Sequence, residues 1–384
     1  MAEIVPFRGY RYRQTAVGKV TDVVAPPYDR IDPDVQRACY ERSPYNIVRI
    51  TKGIQEPGDS STNNVYTRAA VTLEDWIHER ILVRDPEPAL YAYHQHYVFG
   101  GENLTRKGVV ALGRLEPEKV HAHERTLRGP REDRLRLIRA TEANFGHIFM
   151  LYTDPACAAD AAIDASIAGR PPDIVAEDAD GNAHRMWKVT EAETIGTFQQ
   201  ALVDKDLYIA DGHHRYETAV NFMRECRERG WRPGAPESFD VRMMALFNIA
   251  EPGMSIRPIH RIVYGLPTFD EDAFFERVRE RFTVVQHRDF ERMAAATAAG
   301  AEAHTIGCAT SRGWATLRLR DDVSLADIVP GDASEDVKRL DVSILHGGIL
   351  EAELGIDAQA LEEERHIRYT VDAQKGVKRS SSST

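Results

Sequence analysis

The sequence predicts a mixed α/β fold with α+β character in its sheets. Three observations carry this reading. A strand runs directly into a helix over residues 207–229, strand and helix patterns alternate from 63 to 168, and a helix–strand–helix–strand–strand series begins at Thr268.

Residues 1–30 are dense in Pro, Tyr and Arg, and Pro26-Pro27 excludes a helix and stiffens the approach to Tyr28 and Asp29, so this stretch is expected to be irregular. Apolar spacing predicts a helix over 63–83, ending in Trp76, Ile77, Ile81 and Leu82. Residues 89–99 and 107–115 read as strands joined at Gly100-Gly101. Pro130 opens a helix through 144, followed by a strand over 146–152 and an alanine-rich helix over 154–168. The Pro-rich, acidic stretch 169–181 reads as a linker. A strand over 185–189 and a helix over 191–203 lead to the strand 207–210. Beyond Asp211-Gly212 a helix starts at His213, with Tyr216, Ala219, Val220, Met223 and Cys226 at helical spacing. Residues 241–249 form a buried-type strand and 259–263 another. Elements follow over 269–281, 283–287, 290–299, 304–309 and 316–319. A helix over 341–354 places Val342, Leu345, Leu350 and Leu354 in a core. The expected regions are 1–168, 182–266, 267–372 and a disordered tail at 373–384.

A chain of 384 residues with 42% hydrophobic and 28% charged residues has the composition of an ordinary soluble globular protein. A net charge of −11 argues against non-specific nucleic-acid binding as the main activity. No run of eighteen apolar residues is present to span a membrane, and the first residues lack the apolar core of a signal peptide. Cys39, Cys157, Cys226 and Cys308 show neither metal nor redox spacing, so a reduced, cytoplasmic protein is expected.

The helix that begins His213-His214-Arg215 runs against electrostatic preference, because a helix N-terminus already carries partial positive charge. Cationic side chains and backbone amides at one point suit a bound anion, most simply a phosphate. The alternative is local: Asp211 caps the helix and the histidines are satisfied nearby. Neither the glycine-rich Walker pattern nor the three-glycine dinucleotide fingerprint is present here. A second cluster, His121-Ala122-His123-Glu124-Arg125-Thr126 with Arg128, Arg131, Asp133 and Arg134, holds candidate ligands and proton carriers, or is a solvated charged loop. In Pro26-Pro27-Tyr28-Asp29 the stiff dipeptide could fix Asp29 as a base, or the segment is a surface turn. Arg257-Pro258-Ile259-His260-Arg261 is a basic turn able to complete a phosphate pocket.

The sequence resembles the family catalogued as domain of unknown function 1015. The shared segments are Pro6-Phe7-Arg8-Gly9-Tyr10-Arg11-Tyr12, Ala25-Pro26-Pro27-Tyr28-Asp29, Ser43-Pro44-Tyr45-Asn46, His123-Glu124-Arg125-Thr126, Asp133-Arg134-Leu135, the ten residues from Ala210 to Ala219, and His260-Arg261. Asp211, Gly212, His213, His214 and Arg215 are also similar to the phosphate-binding turn of the ParB/sulfiredoxin-like superfamily, which includes nucleotide-dependent free serine kinases. That resemblance implies a ParB/sulfiredoxin-like nucleotide-binding core with additional α+β modules.

It further implies a small-molecule phosphotransferase that uses ATP or ADP with Mg²⁺ on a hydroxyl metabolite such as free serine. Only Asp211, Gly212, His213, His214 and Arg215 carry over from that turn as holders of nucleotide phosphates; the remaining roles are read from the residue types of this chain, with His260 and Arg261 assisting at the phosphates. Asp29, Glu124 and His123 would be catalytic, Tyr28, Arg125, Thr126 and Arg134 would bind substrate, and Asp211 would help hold the metal. The partners implied are a nucleotide and a small substrate, with a homodimer left open and neither membrane nor nucleic acid expected. Two other readings are a metal-dependent phosphohydrolase using His121, His123, Glu124, His213 and His214, and a non-catalytic nucleotide-binding ParB-like protein. Family members usually continue with a Met-Pro-(Pro or Gln)-Lys-Ser-Thr segment and a Tyr-Pro-Lys run, and neither follows Arg368-Tyr369-Thr370 here.

Overall fold

The computed structural model describes residues 3–116, 120–121, 128–255, 259–331, 335–363, 365–370 and 373–380. The chain divides into two units, Met1–Ser255 and Ile256–Thr384. The strands of the first are β1 (Ile4–Val5), β2 (Tyr10–Tyr12), β3 (Leu82–Arg84), β4 (Leu90–Phe99), β5 (Glu102–Arg114), β6 (Val120–His121), β7 (Ile148–Tyr152), β8 (Ile174–Glu177), β9 (Ala183–Val189), β10 (Leu207–Asp211) and β11 (Val241–Asn248).

One large mixed sheet runs β6–β10–β7–β11–β5–β4–β9–β8. The pairs β6–β10 and β7–β11 are parallel, and the other neighbours are antiparallel. The long β5 pairs with β4 through Val110, and β1 takes Leu112 and Gly113 beyond that point. Residues expected in separate regions, 1–168 and 182–266, thus contribute strands to the same sheet.

Strand alternation gives the sheet two apolar faces. Ile148, Met150, Tyr152, Met244 and Leu246 pack on Phe198, Leu202, Tyr216, Val220 and Met223 from the helices Ala192–Leu202 and His213–Glu228, with the helix Ala158–Ile167 beside them. Tyr91, Val110, Ala245 and Phe247 gather Tyr93, Phe149, Leu151 and Met243 on the other face.

The helix Val65–His78 begins at a capping box made by Asn64 and Thr67. It stops short of the expected end, because Arg80 turns the chain with a φ of 59° and sends Leu82 into β3. The helix Arg128–Thr141 packs on both Val65–His78 and His213–Glu228.

The strands of the second unit are β12 (His260–Val263), β13 (Phe282–His287), β14 (Thr305–Thr310), β15 (Gly313–Leu319) and β16 (Ile367–Thr370), and three of them form a sheet in the order β13–β15–β14. Phe274, Phe275 and Val278 of the helix Glu271–Val278 share a core with Phe282, Leu317 and Leu319. Separately, His260–Val263 pairs antiparallel with Ile367–Thr370.

Several expectations are corrected. The stretch 169–181 is not only a linker: it contains β8, which pairs with β9 and buries Ala176 against Val20 and Val23. Its prolines and acids hid a four-residue edge strand. Residues 1–30 are not wholly irregular, since β1, β2 and single helical turns at Gln14–Val17 and Val20–Val23 form there. The helix over 341–354 forms, but with a π-helical stretch inside it. Asp341–Leu345 passes into a π-helical turn, His346–Glu351, where a side chain on Gly347 would lie 2.1 Å from the Ile328 carbonyl oxygen. The wider turn buries Ile344, Ile349 and Leu350 and leaves Val342 exposed instead of in the core. Residues Ala373–Ser380, expected in a disordered tail, form a helix.

Phe198 is fully buried where the helices meet the sheet. Phe198→Ala should lower stability by about 3–5 kcal/mol, measured by urea unfolding.

Candidate functional site

Strand β10 ends at Asp211, opposite Phe149 near the start of β7, and the helix His213–Glu228 leaves immediately. Between them Gly212 is the N-cap residue, with φ 98°, and it has no side chain with which to cap the helix. Glycine is required twice over. Its φ lies in the left-handed region, and a Cβ there would sit 3.0 Å from Cζ of Arg215. The Arg215 guanidinium folds back over this glycine. It donates to the Asp211 carboxylate and to the backbone carbonyl of His147, the residue preceding β7. Gly146, with φ 67°, flanks it from the other side.

One strand further along, Arg242 opens the helix-facing row of β11 and is buried. Its guanidinium donates to Asn144 Oδ1 and to the carbonyls of Phe145 and Gly146, all neutral acceptors, and its Nε has no partner. No carboxylate pairs with it among the described residues. Burial, and then the positive charges of Arg215 and Arg134, hold its proton affinity down to about 9. It remains a cation at neutral pH, with no direct ion pair among the described residues to compensate its charge.

Arg134 lies 4.2 Å above the Tyr28 ring, and it also donates to Asp133 and to the Thr51 carbonyl. Burial raises the Tyr28 hydroxyl pKa. Asp29 adds to the rise, while Arg134 and Arg215 oppose it, so these four residues share one neighbourhood. Tyr28 of the Pro-Pro-Tyr-Asp motif therefore lies within electrostatic range of Arg215.

The other predicted residues are placed less uniformly. His213 is buried, His214 is half-buried and Asp29 is exposed. His123, Glu124, Arg125 and Thr126 lie outside the described residues, as does Arg257. His260 and Arg261 belong to the second unit, where Arg261 lies 5.6 Å from the Tyr369 ring and 3.4 Å from His346 Nε2.

Among the described residues no three-ligand metal group forms around Asp211, His213 and His214. Cys157, Asp160 and Glu251 do bring donor atoms within 4.8 Å of one another. They lie at the opposite end of β7 and β11, where Asn248 donates to Asp160 at 2.8 Å. Sequence reasoning missed this group because its members are far apart in the chain. It also missed Arg242, although a single arginine inside an otherwise apolar strand was a visible signal.

The chain belongs to the family described as "Protein of unknown function (DUF1015)", whose model matches residues 4–343. No curated protein matches, and no solved structure matches. No helix among the described residues is long and apolar enough to cross a membrane.

Burial, aided by the positive charge of Arg215, lowers the His147 pKa to about 4, and burial lowers that of His94 to about 4. Above about pH 6.5 both are neutral whether folded or unfolded, so they impose no cost. Below it the unfolded chain takes up protons that the folded chain refuses, and stability is lost toward pH 4. A double variant, His94→Gln with His147→Gln, should lose less stability between pH 7 and 5 than the parent, measured by urea unfolding at each pH.

Proposed function

We propose that the protein is a nucleotide-dependent phosphotransferase that holds nucleotide phosphates at the Asp211-Gly212-His213-His214-Arg215 turn and acts on a small hydroxyl metabolite, free serine being the leading candidate. The observation that carries this reading is Arg242. A buried guanidinium bonded, among the described residues, only to neutral carbonyls, beside Arg215 and Arg134, makes an electropositive centre near a helix N-terminus whose cap residue is a glycine. Burying a cation without a counter-charge is costly, and a phosphate at the turn would offset that cost. The local sequence similarity to the ParB/sulfiredoxin-like turn points the same way.

In this reading Arg215 turns from the exposed Asp211 carboxylate to a phosphate oxygen, and the backbone amides at the helix start complete the cradle. ATP or ADP would be the donor, with Mg²⁺ screening phosphate charge and Asp211 contributing to its binding. Tyr28 and Arg134 would border the acceptor. The metal-dependent hydrolase reading lacks a three-ligand group at this turn among the described residues.

Isothermal titration with ATP and ADP, each with Mg²⁺, tests the assignment. Arg215→Ala and Arg242→Met should each raise the Kd about tenfold or more while leaving the circular-dichroism spectrum unchanged, the scale expected for a charged hydrogen bond. Unchanged affinity in both variants would remove the phosphate site.

A further inference from the structure

Phosphoryl transfer to a hydroxyl needs a group that receives the hydroxyl proton. A hydrogen-bonded set on the second face of the large sheet has that form. Tyr93 lies on β4 and His184 on the adjacent β9, one diagonal step apart in the ladder. The Tyr93 hydroxyl is 2.6 Å from His184 Nδ1, and His184 Nε2 is 3.0 Å from Asp178 Oδ2. The two rings are within 8° of parallel with centroids 5.9 Å apart, which suits a hydrogen bond in the imidazole plane.

The direction of each bond follows from Asp178. Burial pushes its carboxyl up, but hydrogen bonds from Asn182 and His184 outweigh that and hold it below the usual carboxylate range. As a carboxylate it can only accept, so His184 Nε2 carries the hydrogen, and in the neutral imidazole Nδ1 is bare. Tyr93 must then be the donor to Nδ1. Burial pushes the Tyr93 hydroxyl up to about 12, with Arg106 opposing, so the phenol keeps its proton at neutral pH. Its oxygen retains acceptor capacity for a second hydroxyl.

The relay also lies close to His147. The Tyr93 ring centroid is 6.3 Å from that of His147, whose backbone carbonyl anchors Arg215. Asp178 closes the β8–β9 hairpin through its bonds with Asp180 and Asn182, but that task makes no use of the Tyr93 hydroxyl.

We propose that Tyr93, His184 and Asp178 form a proton relay serving the phosphoryl acceptor, a role that rests on the nucleotide reading. The acceptor hydroxyl passes its proton to Tyr93 Oη as Tyr93 passes its own to His184 Nδ1, giving an imidazolium paired with Asp178. The acceptor oxygen forms a bond to the terminal phosphorus. The bridging P–O bond breaks, and its electron pair leaves on the shortened nucleotide. Tyr93 is then catalytic, while Asp178 is a positioning residue.

The test uses the full chain with ATP or ADP and Mg²⁺, and L-serine, L-threonine and glycerol as acceptors. Tyr93→Phe should keep the parent's nucleotide Kd within about twofold yet lower kcat about 100-fold, the scale of general-base catalysis. His184→Gln should behave likewise. In the parent, kcat should rise with pH through one ionisation, and Tyr93→Phe should lose that acid limb, which a purely structural role would not move. Tyr93→Phe with kcat within about threefold of the parent and the same pH profile would overturn the relay and leave nucleotide binding standing. So would nucleotide binding with no transfer to any acceptor. A parent chain that binds neither nucleotide overturns both.

Discussion

The Arg215 guanidinium closing over Gly212 is the contact on which this half of the molecule turns. One side chain joins the end of β10, the first turn of its helix, and the backbone leading into β7. Two glycines with positive φ, at 146 and 212, clear the space it occupies. Because β7 lies between β10 and β11, fixing its start also fixes the loop of carbonyls that receives Arg242.

That arrangement trades local stability for positive potential. Two of the three neighbouring arginines have carboxylates to answer them, Asp211 for Arg215 and Asp133 for Arg134. Among the described residues Arg242 has only dipoles. Neutral carbonyls satisfy hydrogen-bond geometry without cancelling charge, so the field of the buried cation extends to the helix start, where it adds to the amide dipoles. Asp211 is largely exposed, whereas the Arg215 side chain and Arg242 are mostly buried.

Much of the fold was legible because its signals are local. The strand–glycine–helix unit at 207–229 showed itself through periodicity, and the small sheet of the second unit through alternation. The site was legible only where its chemistry lay in consecutive residues, as in His213-His214-Arg215. Arg242 escaped notice because a strand read alone does not tell which loop a residue near its start will face. Tyr93, His184 and Asp178 become neighbours only through the register of β4 on β9 and of β8 on β9. The four residues of β8 lay too deep among prolines and acids to register as a strand, and without β8 the hairpin that holds Asp178 cannot be inferred.

The order of strands also bears on how the chain reaches its native state. β11 sits at the middle of the large sheet, between β7 and β5, yet comes last of that sheet's strands in sequence. During synthesis β5 and β7 therefore wait with open, apolar edges until residues 241–248 have emerged. Arrival of β11 joins β7 to the antiparallel β5–β4–β9–β8 portion, and completion of the core becomes a late, long-range event. The interval before it is the one in which nascent chains of this protein are most exposed to pairing with each other.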